Sequence, residues 1–142
     1  MKTSARNQLS GVVASIGKRA ETCAVAVALP GGQTLTAAIT PECCDDLALR
    51  PGSAVIVLVK STDVLVATDL ANIKLSACNR LDGIISHIDR GAVNSVVALD
   101  VGGGMMITAG ITMQSTEQLD LHPGQKAAAV FQSGSVILGV LA

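Results

Sequence analysis

Apolar and polar residues alternate in short runs along the chain, and Gly, Pro, Asp and Asn separate the runs. In the first half these runs are rich in Val, Ile, Thr and Ala and are too short for helices, so they predict strands. The predicted strands cover residues 9–16, 22–29, 33–39, 53–60 and 64–68. The sequence "PGG" between the second and third of them is a turn signal.

One segment of the first half predicts a helix. After Thr40, the sequence "PECCDDLAL" places Pro41 at a first helical position, acidic residues in the first turn, and Leu47 and Leu49 where they can be buried. We predict a short helix with Thr40 as its N-cap, ended by "RPG". Five short strands and one helix in the order β-β-β-α-β-β usually close into a small barrel of the OB architecture, because closure removes exposed strand edges.

The whole pattern occurs twice. The sequence "SARNQL" at residues 4–9 returns as "SACNRL" at residues 76–81, and the agreement continues to the end without an insertion. We therefore predict an all-β chain of two tandem OB-like five-stranded barrels, residues 1–70 and residues 73–142, each with a short helix. The joint near Asp69 to Ile73 is short and neither Gly- nor Ser-rich, which predicts two packed domains.

The second predicted strand is apolar on both faces. One face carries Cys23, Val25, Val27 and Leu29, and the other carries alanines at 24, 26 and 28. A half-solvated strand would alternate with polar residues. Either the alanine face meets another subunit or the other repeat, or the strand is fully enclosed within one barrel.

Composition adds an expectation about assembly and location. Hydrophobic residues make up 49% of the chain and charged residues 15%, and each repeat is near the lower size limit for an independent domain. We therefore expect a homo-oligomer. No run is long enough for a membrane span, and the start has no apolar signal core. Together with four cysteines that lack a disulfide-framework spacing, this predicts a cytoplasmic protein with reduced thiols.

Several function classes are disfavoured. Single-strand nucleic-acid binders need basic grooves and aromatic platforms, whereas this chain has a net charge of −1 and one aromatic residue, Phe131. The "GGG" at 102–104 lacks the Lys-Ser/Thr of a phosphate loop and predicts a hairpin turn. The cysteines and the two histidines, His87 and His122, lack metal-ligand spacing, and no nucleophile with a base appears. We therefore expect neither a metal-cation site nor an enzyme.

The remaining signal is a group of hydrogen-bond donors. "SARN" at 4–7, "AIT" at 38–40 and "KST" at 60–62 lie at predicted strand or helix boundaries and carry hydroxyls, one guanidinium and one ammonium. Such a set suits a fully ionised oxyanion. From the residues alone, ordinary capping and turn chemistry is the preferred alternative, with Ser4 and Thr40 as caps and Lys60 solvated.

At these motifs the sequence resembles a known family. "TSARNQLSGVV" followed by "AIT", "LALRPG" and "VIVLVKST", with the second "NRLDGIISHIDRGAVNSVVAL", resembles the Mop domain of the molbindins over essentially the whole chain, twice. The resemblance implies a cytoplasmic molybdate-binding protein of the tandem-Mop type, assembled as a trimer with the oxyanion at subunit interfaces. It implies that the oxyanion contacts Ser4, Arg6, Thr40, Lys60 and Ser61, with Ala5, Asn7 and Thr62 as backbone or outer contributors.

The second repeat departs from this pattern. It keeps Ser76, Asn79, Thr112 and Ser133 at the corresponding positions but has Cys78 in place of Arg6 and Gln132 in place of Lys60. Both positive charges are therefore absent. Either the second half offers neutral, backbone-based contacts, or the sites combine residues from both halves.

The expected function is molybdate binding without catalysis, for storage and homeostasis of molybdenum, with tungstate bound almost equally well because its size and charge are nearly the same. A general oxyanion binder and a partner that delivers molybdate to cofactor synthesis are the alternatives. We expect no nucleic-acid or membrane partner, and no cofactor apart from the ligand itself.

Overall fold

A computed structural model describes residues 1–141 and shows two sheets of five strands each. The first repeat contains β1 (Asn7–Lys18), β2 (Cys23–Ala28), β3 (Thr34–Ile39), α1 (Pro41–Asp46), β4 (Ala54–Val59), a 3₁₀ turn (Ser61–Asp63) and β5 (Leu65–Ala67). The second repeat contains β6 (Asn79–Arg90), β7 (Asn94–Gly102), β8 (Met105–Thr112), α2 (Met113–Gln118), β9 (Lys126–Phe131), a 3₁₀ turn (Ser133–Ser135) and β10 (Val136–Gly139). The predicted all-β class and the element order of both repeats are confirmed.

The long first strand of each repeat belongs to two pairings at once. β1 pairs with β4 through its first half and with β2 through its second half, and its register shifts between Val13 and Ser15. β6 shows the same shift between Ile85 and His87. Such an irregularity bends a strand, which allows a small sheet to curl. Gly11 permits the close approach of β1 to the Val27 side chain of β2, because a Cβ atom at position 11 would lie 2.4 Å from Val27 Cγ1.

The start of α1 agrees with the sequence, whereas its end at Asp46 comes before the predicted stop "RPG" at residues 50–52. Thr40 Oγ1 accepts a hydrogen bond from the Cys43 backbone N–H at 3.1 Å, so the predicted N-cap is confirmed. At the other end Ala48 has a left-handed φ of 51°, and the Leu49 N–H donates to the Cys44 carbonyl at 3.2 Å. These are the features of a Schellman motif. They fix the short helix between β3 and β4 although six residues alone would not remain helical.

The two repeats exchange their last strands. The strand order of the first sheet is β10-β4-β1-β2-β3, and that of the second sheet is β5-β9-β6-β7-β8. Each sheet therefore takes its fifth strand from the other repeat, and in each sheet the exchanged strand also lies close to the opposite edge strand, β3 or β8. The prediction of two OB-like barrels is confirmed, whereas the exchange was not predicted. This exchange packs the two repeats against each other, as the short joint between them led us to expect.

Two asparagines reinforce the contact between repeats. Asn7 Nδ2 donates to the Thr108 carbonyl at 2.8 Å, and its Oδ1 accepts from the Thr108 N–H at 2.7 Å. Asn79 makes the same two bonds with Thr36, at 2.8 and 2.7 Å. Both asparagines are buried. Each side-chain amide thus pairs with the backbone of one residue in an edge strand of the other repeat, as the backbone of a neighbouring strand would do.

Removal of one of these amides should cost stability. We expect Asn7→Ala to lower the free energy of unfolding by about 1–3 kcal/mol, because the partly buried Thr108 N–H and C=O lose their partner. Asn79→Ala should have a similar effect through Thr36. Chemical denaturation at one fixed protein concentration measures the change, with the exposed neighbour Gln8→Ala as a control that stays within about 0.5 kcal/mol. Equal stability of Asn7→Ala and Gln8→Ala would contradict the interpretation.

The hairpin turns of the two repeats also meet. The "GGG" sequence ends β7 and leads into β8, so its prediction as a hairpin turn is confirmed. A Cβ atom on Gly103 would lie 2.5 Å from Gly31 Cα in the corresponding turn of the first repeat. The two turns can approach this closely because position 103 is glycine.

The alanine face of β2 is open in the single chain. Cys23, Val25 and Val27 are buried in the core, whereas Ala24 and Ala28 are exposed and Ala26 is half-buried. The alternative in which one barrel encloses the strand on both faces is therefore wrong. Within residues 1–141 there is no helix with the length and apolar character that crossing a membrane requires.

Candidate functional site

A cavity of about 330 Å³ lies where the start of β1, the end of β4 and the exchanged β10 meet. The described residues that line it are Thr3, Ser4, Ala5, Arg6, Leu58, Lys60, Ser61 and Ile137. The structure thus brings together two segments of the first repeat that are more than fifty residues apart. The antiparallel pairing of Asn7 with Val59 causes this, because it places the residues before β1 beside the residues after β4.

The lining of this cavity is rich in donors and in positive charge. Arg6 and Lys60 supply a guanidinium and an ammonium, Thr3, Ser4 and Ser61 supply hydroxyls, and none of the described lining residues has a carboxylate. Arg6 and Lys60 are exposed to solvent. The Ala5 N–H donates to Thr3 Oγ1 at 3.1 Å, which holds the segment before β1 in a turn. Two cations with hydroxyls and no acid form a site for an anion.

Three residues of the first repeat that were predicted to contribute have other positions. The side-chain amide of Asn7 is buried and bonded to Thr108. Thr40 caps α1, so its Oγ1 already accepts a hydrogen bond and retains its hydroxyl hydrogen as a donor. Thr62 is exposed on the 3₁₀ turn, where its Cγ2 would lie 3.5 Å from a Cβ atom on Gly110 of β8. The turn therefore packs against the second repeat.

The corresponding residues of the second repeat occupy equivalent places in the fold. Ser76 and Cys78 are exposed before β6, and the Asn79 amide is buried and bonded to Thr36. Gln132 is exposed at the end of β9, and Ser133 opens the 3₁₀ turn that packs against β3. Thr112 caps α2, and its hydroxyl also donates to Ser115 Oγ at 2.9 Å.

The sequence did not indicate three residues of the cavity. Thr3 lies one position before "SARN", and Leu58 lies on β4, two positions before Lys60. Ile137 belongs to the second repeat and reaches the cavity only through the strand exchange, in which it pairs with Leu58. A search of the first repeat for motifs could not have found it.

The cysteines form no obvious reactive centre. Cys43 and Cys78 are exposed, whereas Cys23 and Cys44 are buried. Burial, followed by a hydrogen bond with Cys44, raises the pKa of the Cys23 thiol to about 11, which keeps it protonated and unreactive at neutral pH. Within residues 1–141 no group of three His, Cys, Asp or Glu side chains is arranged to hold a metal ion.

Comparison with known protein families identifies both repeats. The TOBE domain family matches residues 3–66 and again residues 75–138. The chain belongs to the TOBE domain family. Its two TOBE domains are the two repeats found in the sequence, and the resemblance to molbindins built from tandem Mop domains is confirmed.

A solved structure shares the complete two-domain TOBE architecture. It is that of ModG, a cytoplasmic molybdate-binding protein, in a form with molybdate bound. ModG is 40% identical to this chain and superposes with a TM-score of 0.96, and the match covers 99% of this chain and 100% of ModG. The strand order and the pairing of two TOBE domains described above therefore have a closely similar relative of known structure.

Two curated relatives that match both TOBE domains are longer proteins. The molybdenum-pterin-binding protein MopB of Rhodobacter capsulatus is 43% identical over 141 residues, and the molybdenum transport protein ModE of Herbaspirillum seropedicae is 42% identical over 140 residues. Each match covers 99% of this chain and 52% of the relative. This chain thus spans about half the length of these relatives.

Proposed function

We propose that this chain binds molybdate in the cavity between β1, β4 and β10 and serves to store molybdenum as this oxyanion. The observation that carries the proposal is the lining of the cavity, in which Arg6, Lys60 and hydroxyl groups stand without a carboxylate. The fold match with molybdate-bound ModG supports the choice of oxyanion. No step of catalysis is part of this role.

The donor-rich lining, with its two cations and no carboxylate among the described residues, also supports selectivity. Molybdate at neutral pH is a dianion with four acceptor oxygens, so every oxygen can meet a donor. Phosphate carries a proton under the same conditions, and an O–H that faced the Arg6 guanidinium or the Lys60 ammonium would find no acceptor there, which costs roughly 1–3 kcal/mol for each polar group left unpaired. Sulfate has the same charge but is smaller, so the size of the pocket must exclude it. Tungstate is nearly identical in size and charge and should bind almost equally well.

Isothermal titration calorimetry tests the binding function. We expect saturable binding of molybdate and an almost equal affinity for tungstate in a displacement titration. The general oxyanion binder, the principal alternative, would give similar affinities for molybdate, sulfate and phosphate. The absence of any heat or displacement with molybdate would contradict the proposal.

We further propose that the chain works in the cytoplasm as a homotrimer. Free cysteines and the likeness to cytoplasmic ModG support the location. Apolar side chains at equivalent positions of the two repeats are exposed in the single chain, namely Val12 and Ile84 on the long strands and Leu65 and Ile137 on the exchanged strands. Together with the open alanine face of β2, they form surface that a second copy can cover.

Light scattering measures the assembly directly. We expect a mass of three chains, each of 14.3 kDa, in the absence of ligand. The exposed apolar positions supply the driving force, so the assembly should withstand high salt, which screens charges but does not weaken apolar contacts. A clean monomer at micromolar concentration would show that these surfaces do not associate.

A further inference from the structure

The second half of the chain repeats the framework of the anion cavity. β6 has the same alternation of buried and exposed residues as β1, and Asn79 makes the same pair of hydrogen bonds as Asn7. A 3₁₀ turn that begins with serine follows β9 just as one follows β4. The backbone therefore places Cys78 and Gln132 at the positions where the first half has Arg6 and Lys60.

The chemistry at these two places differs. A thiol is at most a weak donor and a glutamine amide is neutral, so neither group supplies the positive charge that Arg6 and Lys60 supply to the first cavity. Thr112 also uses its hydroxyl hydrogen toward Ser115, where the first half has Cys43 instead. The second framework thus has fewer donors available and no formal charge among the groups that replace the cationic pair.

The second half nevertheless contributes to the first cavity. Ile137 of β10 lines that cavity together with Leu58, and β10 is held by antiparallel pairing with β4 from Val136 to Gly139. The cavity therefore needs both halves for its shape, but it takes both of its cations from the first half.

We propose that the two halves are functionally unequal: each chain binds one molybdate at the Arg6–Lys60 cavity, and the second half completes that cavity through β10 without binding a dianion itself. This inference rests on the proposed molybdate function and adds the number of sites and their location. Charge is the main difference, because both halves have the framework and only the first half has the cationic pair.

A reciprocal exchange of the two pairs tests the inference. One variant, Arg6→Cys with Lys60→Gln, gives the first half the residues of the second. The other variant, Cys78→Arg with Gln132→Lys, gives the second half the residues of the first. Equilibrium dialysis with molybdate measures the number of bound ions per chain, and the melting temperature without ligand shows that each variant is folded.

The wild-type chain should bind one molybdate. The first variant should bind it at least about 100-fold more weakly, because two charge-assisted contacts are lost. The second variant should bind two. Two ions per wild-type chain, an unchanged affinity of the first variant, or one ion in the folded second variant would each overturn the inference. No binding by the wild-type chain would instead overturn the proposed function.

A second measurement probes the second half of the chain without adding charges to it. It therefore does not depend on whether either double variant folds. In a Cys43→Ser background, Cys78 is the exposed thiol among the described residues. Its rate of alkylation by iodoacetamide, followed by mass spectrometry, should be the same with and without saturating molybdate. Strong protection of Cys78 by molybdate would place the ion in the second half and overturn the inference.

Discussion

Lys60→Ala should remove most of the rise in melting temperature that molybdate produces. Ligand at 100 times its dissociation constant stabilises a folded protein by about 2.7 kcal/mol per independent site, provided that the unfolded chain binds none. In the wild-type chain this gives a clear upward shift, which sulfate should produce to a much smaller extent. Without the ammonium of Lys60 the affinity falls, so the same molybdate concentration no longer saturates the cavity.

The ligand-free Lys60→Ala protein should be as stable as the wild type or slightly more stable. Arg6 and Lys60 line one cavity, and two like charges there repel each other until an anion lies between them. Gln132→Ala is the matched control, because it truncates the corresponding residue of the second repeat without removing a charge. A full molybdate-induced shift in Lys60→Ala would show that the site is built from other residues.

Cysteines introduced on β4 and β10 should form a disulfide within one chain. Leu58 and Ile137 lie directly opposite each other in the antiparallel pair. Their Cβ atoms are therefore about 4.5–5.5 Å apart, close enough for cross-linking after a small adjustment. In a background with Cys43→Ser and Cys78→Ser, L58C/I137C should oxidise almost completely to a monomer-sized band on a non-reducing gel.

The control for the strand exchange is V130C/I137C. Val130 of β9 corresponds to Leu58 and pairs with Leu65 of the first repeat. Without the exchange, Ile137 would take the place of Leu65 opposite Val130, and this second pair would be the one to oxidise. A disulfide in V130C/I137C, or disulfide-linked dimers of L58C/I137C, would contradict an exchange within the chain.

The alternation of apolar residues was sufficient to predict the elements but not their partners. The first strand was predicted at 9–16 and runs from Asn7 to Lys18, and the helix begins after the predicted cap Thr40. The exchange of β5 and β10 could not be predicted, because the repeats are so similar that the edge of β4 and the edge of β9 accept either strand in the same register. Identical patterns do not distinguish a strand of one repeat from that of the other.

The asparagines show how a site motif can conceal a structural role. Asn7 and Asn79 were predicted to contribute to oxyanion binding because they end "SARN" and "SACN". Their side-chain amides link β1 to β8 and β6 to β3. A sign was present in the sequence, since Asn7 and Leu9 point to the same buried face of a strand. A polar residue on such a face needs partners, and only the fold reveals which ones.

Five of the cavity residues that the first repeat supplies were predicted from sequence motifs. Ser4, Ala5, Arg6, Lys60 and Ser61 were all chosen from motifs, and the pairing of β1 with β4 brings them together. Thr40 was chosen in the same way but lies at the start of α1 in the single chain.

The most direct test of the central claim is a competition for the cavity between oxyanions. Equilibrium dialysis of the wild-type protein with molybdate, in the presence of a large excess of phosphate or of sulfate, measures whether the donor-rich lining selects a large, fully ionised dianion. We predict that the protein retains molybdate against both competitors, whereas the same excess of tungstate displaces it. Equal retention of phosphate and molybdate would contradict the account.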